Sequence, residues 1–323
     1  IQRICQRQAT PRRWIDELFP MTFSSQSLAW HTEAGRRSNN EDSCATAVSP
    51  DGTRALLVVA DGMGGHACGE VASRLVVESL LRDYSQNRFD VSPEFLRNAI
   101  ARAHHEVLHA SQQNAAQKGM GATVVVAILD CGDENAKRTP RGIVGHVGDS
   151  RAYQFRSDYV RRLTSDHLMV VEALGYDEER AKNHPRGNEL SQAMGSGNSV
   201  NPTISEFDLC EGDAIVLCTD GVSEVLSAPQ MHSAIQRFVA VSGEEKSRPD
   251  SLAHFCASVV KHAIESGSRD NCTVAVALAP ALAAVAPQKE SHSSSHAQSG
   301  AGSKTRELET APTLSLENVS LNG

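Results

Sequence analysis

The sequence of 323 residues lacks a long apolar run, a Cys-x-x-Cys pair and a secretory signal. A transmembrane helix needs about 20 consecutive apolar residues. The nearest candidate, 273–286, is better interpreted as a strand followed by an Ala-Pro linker, so we expect no membrane span. The eight cysteines are scattered beside apolar runs, which favours reduced packing residues of a cytoplasmic protein over a disulfide framework or a zinc site.

Clusters of basic residues are also scarce. The formal net charge is -8, and no run of Lys or Arg exceeds two residues, as in Arg36-Arg37 and Arg161-Arg162. Sequence-independent binding of nucleic acid rests on clustered Lys and Arg that neutralise phosphates, so we expect no nucleic-acid partner. The composition, 40% hydrophobic and 22% charged, is that of an ordinary globular protein with a substantial core.

Shifts in composition divide the chain into three segments. Residues 1–20 precede an internal Met21 and are predicted to be a disordered or non-native extension. Residues 21–283 are expected to form the folded domain, acting as a monomer. Residues 284–323 are dominated by Ser, Ala, Gly, His and Gln, which predicts a disordered tail.

The rest of the chain is organised around the apolar run 55–60, which leads directly into Asp61-Gly62. This pattern predicts a buried strand whose carboxyl end opens into a tight turn, followed by a helix. The strand would hold Asp61 in a fixed place, and Gly62 would leave its carbonyl exposed as a second oxygen donor. Taken alone, the stretch is explained equally well as an ordinary Asp-Gly turn.

The order of predicted elements indicates the fold class. Strands come in runs and helices in adjacent pairs, near 66–84 and 92–116 and again near 227–240 and 248–266, without βαβ alternation. This order predicts an α+β fold with two packed antiparallel sheets covered by helices. An irregular excursion between strands, up to about residue 198, has the length of a functional lid.

Four carboxylates share one context, beside a Gly or Asn at the edge or end of a predicted strand: Asp61, Asp149, Asp220 and Asp270. The pair Glu41-Asp42 adds a fifth acidic site. Each aspartate alone could be a solvated turn residue, but their recurrence favours an all-oxygen cluster, which suits Mg²⁺ or Mn²⁺ better than zinc.

Hydrolysis at phosphorus is one reaction that such a cluster can support. Two ions about 3.5–4 Å apart can activate a water and neutralise a phosphoryl oxygen during in-line displacement. Arg37, in the loop before Glu41, is the candidate holder of the phosphate, although it could equally be a solvated basic residue.

Seven motifs follow one another between about residues 27 and 280. In chain order they are Arg37-Ser-Asn-Asn-Glu-Asp42, Ala60-Asp-Gly-Met-Gly-Gly-His66 with Gly69-Glu70, Met120-Gly-Ala-Thr123, His146-Val-Gly-Asp-Ser-Arg-Ala-Tyr153, Leu163-Thr-Ser-Asp-His167, Asp220-Gly221 and Asp270-Asn-Cys-Thr273. In content and order they resemble the metal-dependent serine/threonine protein phosphatases of type 2C, bacterial branch. The resemblance implies an antiparallel β-sandwich of two central sheets, flanked on both sides by pairs of α-helices, with 21–283 as the phosphatase catalytic domain.

The resemblance also implies metal ligands. Asp61 would bridge two Mn²⁺ or Mg²⁺ ions and Gly62 would donate its carbonyl, while Asp220 and Asp270 would complete the shell of the first ion. The remaining implied ligands are Glu41 and Asp42, for the second ion or its waters, and Asp149, for a third and weaker ion under a flap of residues 164–198.

The implied reaction is hydrolysis of phosphoserine and phosphothreonine on proteins, by a metal-bridging hydroxide that attacks phosphorus in line. Arg37 would hold the phosphate and Asn271 would orient the Asp270 loop. The expected partners are phosphoprotein substrates, a bacterial Ser/Thr kinase that the enzyme opposes, and a phosphothreonine-binding protein.

Met63 departs from many eukaryotic members, which have a histidine proposed as general acid at this position. His66 is then a candidate proton donor beside a metal-bound water, or a residue that packs or caps the start of a helix. Two other functions remain as alternatives: a catalytically silent domain that binds phosphoproteins or a partner, and a metal-dependent nuclease or phosphodiesterase, which the acidic net charge disfavours.

Overall fold

The computed structural model describes residues 22–64, 68–87, 90–132, 139–175, 177, 180–181, 183–242, 251–280 and 319–321. The predicted extension 1–20 and His66 lie outside the described residues, as does the predicted tail apart from 319–321. Among the described residues, no helix combines the length and the apolar character needed to cross a bilayer.

The strands form two antiparallel sheets. The first has the order β1-β11-β10-β7-β8, and the second has the order β12-β2-β3-β5-β6-β9 with the short β4 paired to β3. The strand bounds are β1 Leu28–Glu33, β2 Asp42–Val48, β3 Arg54–Met63, β4 Gly121–Ala122, β5 Val124–Asp130, β6 Arg141–Val147, β7 Arg151–Arg156, β8 Tyr159–Arg162, β9 Thr203–Asp208, β10 Ala214–Cys218, β11 Cys272–Leu278 and β12 Val319–Leu321.

The long helices lie in two pairs, one against the outer face of each sheet. The helix bounds are α1 Gly69–Gln86, α2 Pro93–Gln113, α3 Met169–Leu174, α4 Asp220–Ser223, α5 Ala228–Ser242 and α6 Leu252–Glu265. Helix α2 begins where the sequence predicts, because Ser92 Oγ accepts a hydrogen bond from the Phe95 amide at 3.1 Å and Pro93 occupies the first turn.

Strand β3 shows why the apolar run is continuous. Leu57 and Val59 pack into the core between the two sheets, while Leu56 and Val58 pack under α1 and α2 on the other face. A strand buried on both faces needs apolar residues at every position. The predicted sandwich with helices on both sides is therefore confirmed.

Several local predictions differ from the structure. Strand β3 continues through Asp61 to Met63, where a tight turn was expected, because Gly62 and Met63 leave β5 and pair with β4. Asp220 begins the short helix α4 instead of a simple turn. Strands β8 and β12 were missed. The packing prediction for cysteine holds for six of the described thiols and is wrong for Cys210, which is exposed.

Candidate metal and phosphate site

The antiparallel order of the strands brings the predicted carboxylates to one end of the sandwich. Asp42 begins β2 and lies directly opposite Asp61 near the end of β3. Asp149 lies in the turn from β6 to β7, Asp220 follows β10 and Asp270 precedes β11. Because β7, β10 and β11 belong to the other sheet, the carboxylates meet where the two sheets face each other.

An open cleft of about 1410 Å³ lies at this end. The predicted site residues in its wall are Arg37, Glu41, Asp61, Gly62, Asp149, Asp220, Asp270 and Asn271. Asp42 is buried behind Asp61 and does not line the cleft. Among the described residues, no three His, Cys, Asp or Glu side chains stand in the arrangement of a complete metal site, so the carboxylates line a cleft and do not form a closed cage.

Asp42 joins the two sheets. Its side chain is 3% exposed, and its Oδ2 accepts hydrogen bonds from the hydroxyls of Thr219 at 3.0 Å and Thr273 at 2.6 Å. Both threonines come from the opposite sheet, at the ends of β10 and β11. The sequence analysis gives these threonines no role, although each lies within three positions of a predicted ligand in the sequence.

Gly62 occupies a position that only glycine fits. Its amide donates to the Glu41 carbonyl at 3.0 Å. A Cβ atom on Gly62 would lie 2.1 Å from the Gly69 carbonyl oxygen and 2.5 Å from that of Glu41. The end of β3, the loop before β2 and the start of α1 therefore meet at bare backbone beside Asp61.

Thr123 fixes two of the predicted ligands at once. Its amide donates to the Asp61 carbonyl at 2.8 Å, and its hydroxyl oxygen accepts from the Asp61 amide at 3.2 Å. The same hydroxyl lies 2.7 Å from the Ser150 hydroxyl, next to Asp149. Thr123 thus links the end of β3 to the β6–β7 turn.

His167 holds the Asp149 turn from the flap side. Its Nδ1 accepts from the Gly148 amide at 3.3 Å, its own amide donates to the Gly148 carbonyl at 3.0 Å, and its Nε2 lies 2.9 Å from Thr203 Oγ1. Gly148 has φ of 101°, a conformation that favours glycine. The ring also stacks on His146, with 4.5 Å between centroids.

Arg37 and Asn271 connect the Asp270 loop to the loop before β2. Arg37 Nη2 donates to Asp270 Oδ2 at 2.6 Å, and its Nε donates to the Arg269 carbonyl at 3.3 Å. Asn271 Nδ2 donates to the carbonyls of Ala34 and Asn39, while its Oδ1 accepts from the Glu41 amide at 2.8 Å. Asn271 uses its whole amide to orient the two loops.

The carboxylates repel one another. The pKa of Asp61 is raised by burial first and then by the nearby carboxylates of Asp42, Asp220, Asp149 and Asp270. Burial and neighbouring negative charge raise the pKa of Asp149 to about 7 and that of Asp220 to about 6.

The donor set fits a hard divalent cation. All the acidic and carbonyl donors named above are oxygens, as Mg²⁺ and Mn²⁺ prefer. The buried Asp220 Oδ1 receives no hydrogen bond from any described residue. A cation on these oxygens would offset both the missing hydrogen bond and the repulsion between the carboxylates.

Comparison with known proteins identifies the family of this chain. The family model described as Protein phosphatase 2C matches residues 31–257, more than half of the chain. The chain belongs to the protein phosphatase 2C family. It is 29% identical to protein phosphatase PhpP of Streptococcus pneumoniae over 253 residues, which cover 76% of this chain and 94% of PhpP.

Solved structures of family members agree. The serine/threonine phosphatase of S. agalactiae superposes with a TM-score of 0.64 at 29% identity, covering 77% of this chain and 97% of that one. The catalytic domain of the phosphatase PstP, solved in complex with two manganese ions, superposes with a TM-score of 0.58 at 27% identity, covering 78% and 96% of the two chains. Phosphatases of the 2C family use divalent metals.

The raised pKa values predict how stability depends on pH and metal. A carboxylate whose pKa is higher in the folded protein than in the unfolded chain favours folding at low pH, and this contribution is lost as pH rises through about 6 to 7. In EDTA, we expect Tm to fall between pH 5 and pH 8. Mn²⁺ should raise Tm more at pH 8 than at pH 5, measured by differential scanning fluorimetry; an equal rise at both pH values would contradict this account.

The hydrogen bonds by which His167 holds the Asp149 turn lead us to expect different effects from two substitutions of His167. His167→Leu removes the acceptor for the Gly148 amide and should lower Mn²⁺ affinity or turnover by about 10- to 100-fold. His167→Asn keeps an acceptor at the position of Nδ1 and should retain most of both. Hydrogen exchange at the Gly148 amide, measured by NMR, should be faster in the Leu variant alone. Similar exchange in both variants would show that the His167 side chain does not hold the Asp149 turn.

Proposed function

We propose that the protein hydrolyses phosphoserine and phosphothreonine on proteins, using two Mn²⁺ or Mg²⁺ ions. The observation that carries this proposal is the convergence of four aspartates and Arg37 on one cleft between the two sheets. Membership of the 2C family supports it, as does similarity to relatives that are named as serine/threonine phosphatases.

Each site residue has a proposed role. Asp61 would contact both ions and Gly62 would donate its carbonyl, with Asp220 and Asp270 on the first ion. The other proposed ligands are Glu41 and Asp42, for the second ion or its waters, and Asp149, for a third and weaker ion. Bound there, the ions would supply Lewis acidity and activate water for in-line attack on phosphorus.

Arg37 is proposed to bind the phosphate. Its side chain is 57% exposed at the cleft, and the bonds to Asp270 and the Arg269 carbonyl use two of its five N–H donors. The remaining donors can form a bidentate contact with phosphate oxygens. Met63 lines the cleft but has no proton to donate, and no histidine lines the described part of the wall. We propose water as the proton donor to the leaving oxygen, with His66, which lies outside the described residues, as the alternative.

The alternative of a catalytically silent phosphoprotein-binding domain keeps the cleft but needs no turnover. The two functions are separated by hydrolysis of p-nitrophenyl phosphate in Mn²⁺ and in EDTA. If the protein is an enzyme, turnover should depend on the metal. Folded protein that shows no turnover in Mn²⁺ would refute the proposal. Phosphothreonine and phosphotyrosine peptides compared under the same conditions test the residue preference.

The compartment, the partners and the oligomeric state of the protein are also proposals. Buried free thiols such as Cys218 and Cys256 suit a reducing compartment, which supports action in the cytoplasm. Phosphoserine and phosphothreonine imply a Ser/Thr kinase that the protein opposes, and we propose a phosphothreonine-binding protein as a further partner in the same pathway. We propose action as a monomer, which sedimentation at several concentrations would check.

Asp61→Asn tests the central ligand. The variant should lose about two to three orders of magnitude in turnover, because the amide is a weaker metal ligand than the carboxylate. In EDTA it should also have a Tm no lower than that of the native protein, because the neutral amide replaces a carboxylate whose pKa is raised by burial and by its acidic neighbours. Steady-state kinetics and thermal melting measure the two effects. Native-like turnover in the folded variant would refute the assignment.

Truncation after residue 283 tests the proposed boundary of the catalytic domain. The shortened protein should keep its kcat, because every described residue of the cleft lies before residue 272. It loses β12, which pairs with β2 at Ala45–Ala47, so Tm should fall by a few degrees at most. A fall of tenfold or more in kcat would show that the tail contributes to catalysis.

A further inference from the structure

The cleft continues well beyond the carboxylates. Its far wall consists of the last turn of α2 and the loop that follows, including Ser111, Gln112 and Lys118, and the facing wall is the flap segment around Gln192 and Ser196. Pockets for drug-sized ligands have roughly 300–1,000 Å³, and this cleft has about 1410 Å³. A phosphorylated side chain fills one end, and several neighbouring residues of a substrate can lie along the rest.

Most charged residues of this cleft are already paired or belong to the metal site. The carboxylates at the near end are the proposed metal ligands, and Arg37 contacts Asp270. On the flap, Glu189 forms a salt bridge with Arg186 at 2.6 Å. Lys118 differs, because none of the described residues forms an ion pair with it. Among the described residues of the cleft, it is therefore the cation available to parts of a substrate beyond the phosphate, which is the proposed ligand of Arg37.

The backbone around Lys118 is held in place. Its amide donates to the Ala115 carbonyl at 3.4 Å, the Gly119 amide donates to Ser111 Oγ at 3.2 Å, and the Met120 amide donates to the Gln117 carbonyl at 3.1 Å. Met120 itself is 1% exposed. The ammonium group thus extends from a fixed loop, which lowers the entropy lost when it pairs with a ligand.

The distance from Lys118 to the reaction site follows from the pairing of the strands. Gly121 lies opposite Met63, two residues beyond Asp61, and Lys118 is three residues before Gly121. Chain geometry then places Lys118 on the order of 10–17 Å from Asp61. An extended peptide advances about 3.3 Å per residue, so this distance corresponds to about three to five substrate residues.

We propose that Lys118 is a specificity-determining residue, which favours phosphoprotein segments carrying an Asp or Glu about three to five residues from the phosphorylated Ser or Thr. The proposal rests on the proposed function and adds the substrate class. The acidic protein would otherwise repel such segments, since its net charge is -8.

The test uses the full-length protein in Mn²⁺ and a set of phosphothreonine peptides, each with one Glu at position -5, -4, -3, +3, +4 or +5 and a matched Gln peptide. One Glu position should raise kcat/KM by about three- to fivefold, through KM, as for a solvent-exposed ion pair. The preference should shrink at high salt. Lys118→Gln should abolish it, and Lys118→Glu should turn it into a preference for Lys at the same position.

Lys261→Gln is the matched control, because Lys261 is also exposed but lies on α6 and does not line the cleft. It should keep the native preference for Glu. The proposal is overturned if native protein treats Glu and Gln alike at every position, or if Lys118→Gln keeps the preference. Hydrolysis of p-nitrophenyl phosphate separates the two failures: turnover without any Glu preference refutes only the role of Lys118, and no turnover refutes the proposed function.

Discussion

The constraint on which the rest of the structure depends is the mutual repulsion of carboxylates held at one end of the sandwich. The backbone of five strands places Asp42, Asp61, Asp149, Asp220 and Asp270 there, although burial and like charge raise the pKa of most of them. Such an arrangement destabilises the protein unless a cation is bound. Its cost is offset by the large apolar core between and outside the two sheets.

Neutral hydrogen-bonding groups hold this arrangement together. Thr219 and Thr273 satisfy Asp42, Thr123 fixes the backbone of Asp61, and Asn271 joins the two loops that carry Glu41 and Asp270. Hydroxyl and amide donors position an anion without cancelling its charge. The charge that attracts a metal therefore remains, while the geometry is fixed by residues that do not bind the metal.

The sequence was sufficient to predict features that depend on local pattern. The doubly buried β3 follows from its continuous apolar run, and the start of α2 follows from Ser92-Pro93. The exposed β8 has no apolar alternation, so pattern alone could not show it. The aspartates were recognised because each lies beside Gly or Asn, whereas the threonines that bind Asp42 are more than 170 residues away from it in sequence, and only the fold brings them together.

The separation of the site residues along the chain also affects how the protein folds. Residues 42, 61, 149, 220 and 270 are spread over most of the chain and over both sheets, so no short fragment contains a complete set. Long-range strand pairings form slowly, because loop-closure entropy is lost before the contacts are gained. The proposed metal-binding end can therefore be completed only late in folding, when both sheets have docked, and tight binding of a divalent ion there would report that the whole sandwich has reached its native topology.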